Sequence, residues 1–396
     1  GESIYMLPYM RKTFQTSMQA VFHLSGTQIG LLNAMFGVLA LICYFPSGWL
    51  ADRFSARKLL TLSLATTGCG GFFLLTEPSF TGLLAVQAFW GITSILTFWG
   101  ALIKATRDWG RPDRQGLSFG LLDAGRGVVA ALVATLATAA FAHAGSTAAG
   151  LKAVIWVYSL APLLAAVLIW AVVPDDLHAG STASATRTPG WEGLKAVGAL
   201  PDVWLLAVVI FSAYMLYLGT YGFPAYAEKA FAETKTFGAV VGTVRDWMRP
   251  VAALGAGLLA DRFGASRTIG AAFGLLIAAF ASLFLITPVP GGLWVLWTQV
   301  ILAGAAVFAL RGIYFAVLEE AEIPSSLTGT TVGIVSFVGF MPDAFAPVLW
   351  GWFVDHFEGV LGYRYYFGVL AGVATVGTLA ALGIRLLRSP RARAVG

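Results

Sequence analysis

Runs of about twenty apolar residues, such as 83–103, 154–173 and 269–286, recur along the whole chain. At about 1.5 Å of rise per residue, each is long enough to cross a ~30 Å hydrocarbon layer as a helix. Inside lipid every backbone N–H and C=O must be satisfied within the protein, so only helices and closed barrels span. A barrel strand would alternate polar and apolar residues. These runs are apolar all round and rich in Leu, Ala and Gly. Charged residues make up 11% of the 396-residue chain and mean hydropathy is +0.78, whereas soluble domains carry about 25% charge. The chain therefore reads as an all-α polytopic membrane protein.

Gly, Pro and charge punctuation divide it into twelve spans, near 1–21, 28–51, 58–76, 80–105, 115–142, 150–173, 201–226, 237–260, 266–287, 292–319, 327–354 and 362–387. Span 1 reads as truncated at its N-terminus. The longest polar stretch, 174–200, contains a low-complexity Gly/Ser/Thr/Ala segment and reads as a linker between six-helix bundles, 1–173 and 201–396. Thirteen Lys and Arg residues, from Arg53 to Arg393, fall on the loop side that holds the linker. Lys152, Lys229, Lys235 and Arg364 fall on the other. The positive-inside rule then places linker and C-terminus in the cytoplasm. The formal charge of +5 lies in short turns and does not indicate nucleic-acid binding. Cys43 and Cys69 offer neither a disulfide framework nor a metal spacing.

One charged turn occurs twice. Gly48, Asp52, Arg53, Arg57 and Lys58 follow span 2; Gly257, Asp261, Arg262, Gly264 and Arg267 follow span 8. This resembles the G-x-x-x-D-R-x-G-R-R-K signature of the major facilitator superfamily (MFS), with Ser55 and Ala56 departing from it. The resemblance covers the whole chain. It implies two pseudo-symmetric six-helix bundles that rock about a midplane site, with the turns as a conformational latch. Physically, the Gly permits close helix approach and the basic residues sit at headgroup level. One such turn alone would read equally as a positive-inside loop. Phe98-Trp99-Gly-Ala-Leu-Ile-Lys104-Ala-Thr-Arg107 in span 4 looks like sequences in bacterial organophosphate and organic-anion permeases. The proline-glycine signature that drug exporters carry in span 5 is missing.

Ionisable groups inside spans are costly, by at least ~2.5 kcal/mol, and mark cavities or partners. Asp123 and Arg126 stand in span 5, Arg245, Asp246 and Arg249 in span 8, Arg311 in span 10 and Asp343 in span 11. The resemblance sets spans 5 and 8 face to face, so that Arg126 and Arg249 would clamp an anion, since guanidinium groups bind carboxylate or phosphate bidentately. The competing reading is structural ion pairing within and between helices. Tyr214, Tyr217 and Tyr221 share one face of span 7, and Tyr5 and Tyr9 one face of span 1; their hydroxyls are candidate substrate contacts, although most such stripes are packing. Asp343, Asp123, Asp246 and Glu2 are candidate proton carriers. Asp343 is flanked by Pro342 and Pro347, where a helix break is expected.

These features point to a secondary transporter of a small organic anion (carboxylate, sugar acid or phosphate ester), driven by symport with protons or by exchange. No nucleotide-binding loop is present. The alternative is a proton-coupled permease for a neutral solute or drug, in which the buried charges serve coupling alone. An enzyme is not expected: the four histidines lie in or near loops without catalytic partners. No cofactor or metal is implied, and the expected partners are the anion, protons or a counter-anion, and lipid. The setting is the bacterial inner membrane, as a monomer.

Overall fold

The computed structural model describes residues 2–109, 115–144, 148–175, 195, 197–289, 291–314 and 328–387, and these are helical with short turns. Its helices are α1 (Arg11–Phe22), α2 (Gly26–Arg53), α3 (Ala56–Phe72), α4 (Phe80–Ile95), α5 (Trp99–Trp109), α6 (Gln115–Ala144) and α7 (Ala148–Val172). After the linker come α8 (Pro201–Gly219), α9 (Phe223–Phe231), α10 (Lys235–Phe263), α11 (Ala265–Leu285), α12 (Leu293–Ile313), α13 (Thr328–Gly339), α14 (Pro342–His356) and α15 (Leu361–Leu387).

Among the described residues, ten stretches are long and apolar enough to cross a membrane, and they coincide with spans 2–7 and 9–12. Of the other two spans, 1 is broken into helical pieces too short to qualify and 8 is too polar, which is consistent with twelve. Large apolar side chains such as Leu164, Val167 and Leu168 on α7, or Leu254 and Leu258 on α10, are exposed. In lipid that surface is solvated by acyl chains.

The chain divides into two compact units. Unit 1 comprises Gly1–Ser181, Tyr221–Trp247 and Asp343–Gly359; unit 2 comprises Thr182–Thr220, Met248–Pro342 and Val360–Gly396. In unit 1 one core gathers Met6, Phe14, Phe36, Trp90, Phe141 and Tyr158, and a second gathers Ile4, Leu59, Leu64 and Phe98. In unit 2, α15 packs along both α11 and α8.

Four of the described spans are discontinuous, span 4 at the turn 96–98 between α4 and α5 and the other three each for a local reason. Span 1 runs as a 3-10 turn (Glu2–Tyr5), a turn segment through Met10 and then α1, with Phe14 off helical geometry at φ −118°, ψ 31°. Pro8 has no N–H to donate, and the buried Gln87 amide of α4 donates to the Pro8 carbonyl at 3.3 Å. Span 7 breaks at Thr220–Gly222 between α8 and α9, where Pro224 can neither donate to nor tolerate the carbonyl four residues back. Span 11 breaks at Phe340–Met341, just before the helix restarts at Pro342. Breaks at membrane depth persist where they are buried in protein or line a cavity.

Within unit 1, α2 and α14 meet backbone to backbone. A Cβ on Gly30 would overlap the Pro347 carbonyl oxygen, and one on Gly351 would overlap that of Gly26. At the start of α2, Ser25 and Gln28 form a reciprocal capping box. The same helix start donates Gly26 N–H and Thr27 N–H to the Asp355 carboxylate at 2.8 and 2.6 Å.

Candidate functional site

In unit 1 the buried charges converge on the broken span 1. Arg126 of α6 donates through Nε and Nη2 to Glu2 Oε2, each at 2.8 Å, with its guanidinium 5.4 Å from the Trp99 ring centre and 6.0 Å from that of Tyr5. Lys12 of α1 and Arg245 of α10 grip opposite oxygens of Asp246, at 2.7 Å each. The Arg245 side chain is 0% exposed, that of Asp246 5% and that of Lys12 7%. Tyr221, in the break of span 7, lies beneath two guanidinium groups, Arg245 at 4.7 Å and Arg11 at 5.6 Å. The Tyr9 ring meets Tyr221 edge-on, and its hydroxyl donates to Asp343 at 3.2 Å. Tyr5 donates instead to the Ser94 carbonyl, at 3.4 Å. Thr138 of α6 and Thr243 of α10 share a hydrogen bond of 2.8 Å one turn away.

This cluster sets four cations, Arg11, Lys12, Arg126 and Arg245, against three carboxylates, Glu2, Asp246 and Asp343. Desolvation makes each of these buried charges expensive unless its neighbours offset it.

Unit 2 holds a separate group. The Arg311 guanidinium sits 4.0 Å from the ring centre of Tyr217 and 5.7 Å from that of Tyr214, while Phe340 and Phe308 close the box edge-on. Arg249 is buried in the unit 2 part of α10. The tyrosine stripe of span 7 is therefore not one continuous face. Tyr214 and Tyr217 belong to α8 with Arg311, and the break at Thr220–Gly222 turns Tyr221 over to unit 1.

The first repeated turn ties α2 and α3 to the end of α7. Arg57 stacks on Trp170 at 4.3 Å, and Lys58 Nζ lies 3.6 Å from Asp175. The neighbouring Ser55 hydroxyl and the Lys58 ammonium hold the Asp175 carboxyl below its usual range. Lys104, rather than reaching toward headgroups, donates to the Ala51 carbonyl at 2.8 Å, satisfying the last turn of α2. In the second copy Gly264 takes φ +91°, which favours glycine. Its counterpart Ser55 sits at φ −58°, so the first turn does not require Gly there. Gly257 departs from the expectation of close helix approach: among the described residues, a Cβ there would meet nothing within 4 Å. Arg262 lies over Phe263 at 5.3 Å, and Arg53 and Arg267 are exposed. Gly48 and the side chains of Asp52, Asp123 and Asp261 lie outside the described residues, as do Arg388, Arg391, Arg393 and most of the linker.

Arg11 and Lys12 were not among the sequence candidates. The signal was present: they stand mid-way along span 1, followed by Thr13, Gln15, Thr16 and Ser17, a polar run that a lipid-facing helix would not carry. A cleft of about 270 Å³ lined by Ser17, His23, Glu77 and Lys235 opens at the far end of α1. There the Lys152 ammonium, 2.9 Å away, holds the exposed Glu77 carboxyl below its usual range. No group of three or more His, Cys, Asp or Glu among the described residues has metal-binding geometry.

The family model of the Major Facilitator Superfamily matches residues 4–347. The chain is 29% identical over 384 residues to inner membrane protein YihN of Escherichia coli, covering 96% of this chain and 91% of that one. It is 25% identical over 297 residues to a probable nitrate/nitrite antiporter, NarK1, of Thermus thermophilus, covering 70% of this chain and 62% of that one. Among solved structures it resembles a bacterial homologue of the lysosomal transporter Spinster (TM-score 0.70, 17% identity, 97% of this chain and 94% of that one). It also resembles a mutant of the nucleoside transporter NupG (TM-score 0.72, 14% identity, 97% and 96%).

Proposed function

This chain belongs to the Major Facilitator Superfamily and is an integral inner-membrane transporter rather than an enzyme; from that premise we propose that its cargo is a small organic anion. The observation that carries this reading is the convergence of Arg11 and Arg245, from two different helices, on the single ring of Tyr221. Two permanent like charges drawn to one buried ring form a donor-rich cradle that an oxyanion would complete. Lys12 and Asp246 border the cradle directly. An arriving anion competes with Asp246 for Arg245, and the displaced carboxylate then takes a proton, which couples transport to protons or to exchange.

In this reading 1–173 and 201–396 act as the two rocking bundles, joined by a cytoplasmic linker. The repeated turns then lie on the cytoplasmic side, and the α2–α14 seam closes the outer end of unit 1. The alternative, a neutral-solute permease, draws support from the Arg126–Glu2 and Lys12–Asp246–Arg245 pairings, which suit coupling without cargo.

The test is thermal shift of purified protein with carboxylates, sugar acids and phosphate esters, followed by counterflow in proteoliposomes. A ligand at a hundred times its Kd stabilises by about 2.7 kcal/mol. Arg11→Gln and Arg245→Gln are expected to abolish that shift and the counterflow while the proteins remain folded. Undiminished counterflow in both variants would remove the anion cradle.

A further inference from the structure

The first half of α10 carries a line of polar groups that neither the anion cradle nor the α2–α14 seam uses. Lys235, Gly238, Gly242 and Asp246 follow one another at spacings of three and four residues and so share one face of that helix. Lys235 lines the cleft at the far end of α1 together with Ser17. The two glycines have no side chains, and oxygens from neighbouring helices occupy the space they leave. A Cβ on Gly238 would overlap Oε1 of Glu228, which α9 brings there half-buried. One on Gly242 would lie 3.1 Å from the Thr13 hydroxyl of α1 and 3.2 Å from the Pro224 ring. Asp246, next on that face, receives Lys12 from α1. All of these residues belong to unit 1. Thr13 is 1% exposed, and its hydroxyl has no hydrogen-bond partner among the described residues. A buried polar group left in that condition demands an explanation.

We propose that Glu228 is a proton-relay residue, which loads protons from this cleft and passes them along the glycine face of α10, by way of Thr13, to Asp246. The inference rests on the proton coupling proposed above and supplies its entry route. At about 1.5 Å per residue, Gly238 and Asp246 stand ~12 Å apart with Gly242 midway, so each step is ~6 Å. That is the reach of two hydrogen bonds of about 2.8 Å joined through one water. A hydroxyl suits the midpoint because it accepts one proton while donating another. In each transfer Glu228 gives up a proton, Thr13 takes one and releases its own, and Asp246, freed when an anion holds Arg245, accepts it. The cleft then reloads the Glu228 carboxylate, and no group changes oxidation state. The charged groups facing the route are Lys235 at its mouth and Lys12 and Arg245 at its end.

The experiment uses the full chain in proteoliposomes loaded with a pH-sensitive dye, with succinate, gluconate and glycerol 3-phosphate as probes. Counterflow at equal pH exchanges the probe without net proton movement, whereas uptake driven by an acidic exterior requires it. Glu228→Gln, close in volume, should leave counterflow within about twofold and lower proton-driven uptake, with the acidification that accompanies it, by roughly 100-fold. Glu228→Asp should restore part of that uptake. Thr13→Val should reproduce the split between the two modes and Thr13→Ser should not, which decides the matter even where Glu228→Gln fails to fold. Equal losses of both modes in Glu228→Gln and Thr13→Val, or undiminished proton-driven uptake in both, would overturn the route while leaving the cradle in place. So would a wild type that exchanges a probe but ignores the pH difference. Absence of transport of all three probes by the wild type would remove the cradle and, with it, the relay.

Discussion

Asp246→Asn is the substitution whose consequence the geometry fixes most tightly. The carboxylate is held at 2.7 Å by both Lys12 and Arg245, and all three side chains are buried. As a unit the triad carries one net positive charge; in the variant it carries two, with no change in volume. Removing one partner of a buried ion pair costs about 3–5 kcal/mol. Asn keeps one oxygen to accept from either cation, so the low end, about 3 kcal/mol, applies. At about 2–4 °C per kcal/mol, a figure for domains shorter than this one, the upper bound on the fall in melting temperature is about 6–12 °C. The thirteen tryptophans make intrinsic fluorescence a direct readout of detergent-solubilised protein. Lys12→Met combined with Asp246→Asn returns the net charge to one, so the double variant should recover most of the loss. A single variant within about 1–2 °C of wild type, or a double variant no better than the single, would refute the claim that the triad is held together by charge.

Asp355→Ala removes the acceptor of two backbone N–H groups at the start of α2. Charged hydrogen bonds of this kind are worth about 1.5–3 kcal/mol, so labelling of a cysteine placed at Ser17 by an impermeant maleimide should accelerate roughly 10- to 150-fold; unchanged labelling would exclude a latch. Gly30→Leu drives a side chain into the Pro347 backbone and should likewise expose Ser17 while abolishing counterflow, and full activity would show that the seam tolerates bulk. Glu77 bears on pH. Because Lys152 depresses its pKa, its contribution is present above the ordinary carboxylate value and is lost as pH falls through the lowered one. Glu77→Gln should therefore differ from wild type by a constant, small amount from pH 6 to 8, and converge with it only below about pH 4; a crossover near neutrality would contradict the pairing.

Much of the fold was legible because bilayer thickness leaves its mark as run length, and Pro342 announced the break in span 11. The break in span 7 was harder to see, since Pro224 lies just beyond a residue run that still looks helical and apolar. In span 1 the flanking apolar residues mask the polar run, which hides Arg11 and Lys12 although they are as costly in lipid as Arg245. Partner identity was less legible still: Arg126 finds Glu2, 124 positions away, and Lys12 finds Asp246. Neither pairing has a periodicity to betray it. Only tertiary packing selects among cations of equal charge.

The bare contact between α2 and α14 also bears on speed. Where side chains interdigitate, separation must wait for rotamers to rearrange, and that friction sets the rate. Gly26, Gly30 and Gly351 present no rotamers, so the two helices meet as smooth surfaces with almost nothing to disentangle. The frequency of opening at that end would then be governed by the lifetime of a single polar tie, Asp355 on the α2 terminus, and one residue could tune turnover without touching the cargo site.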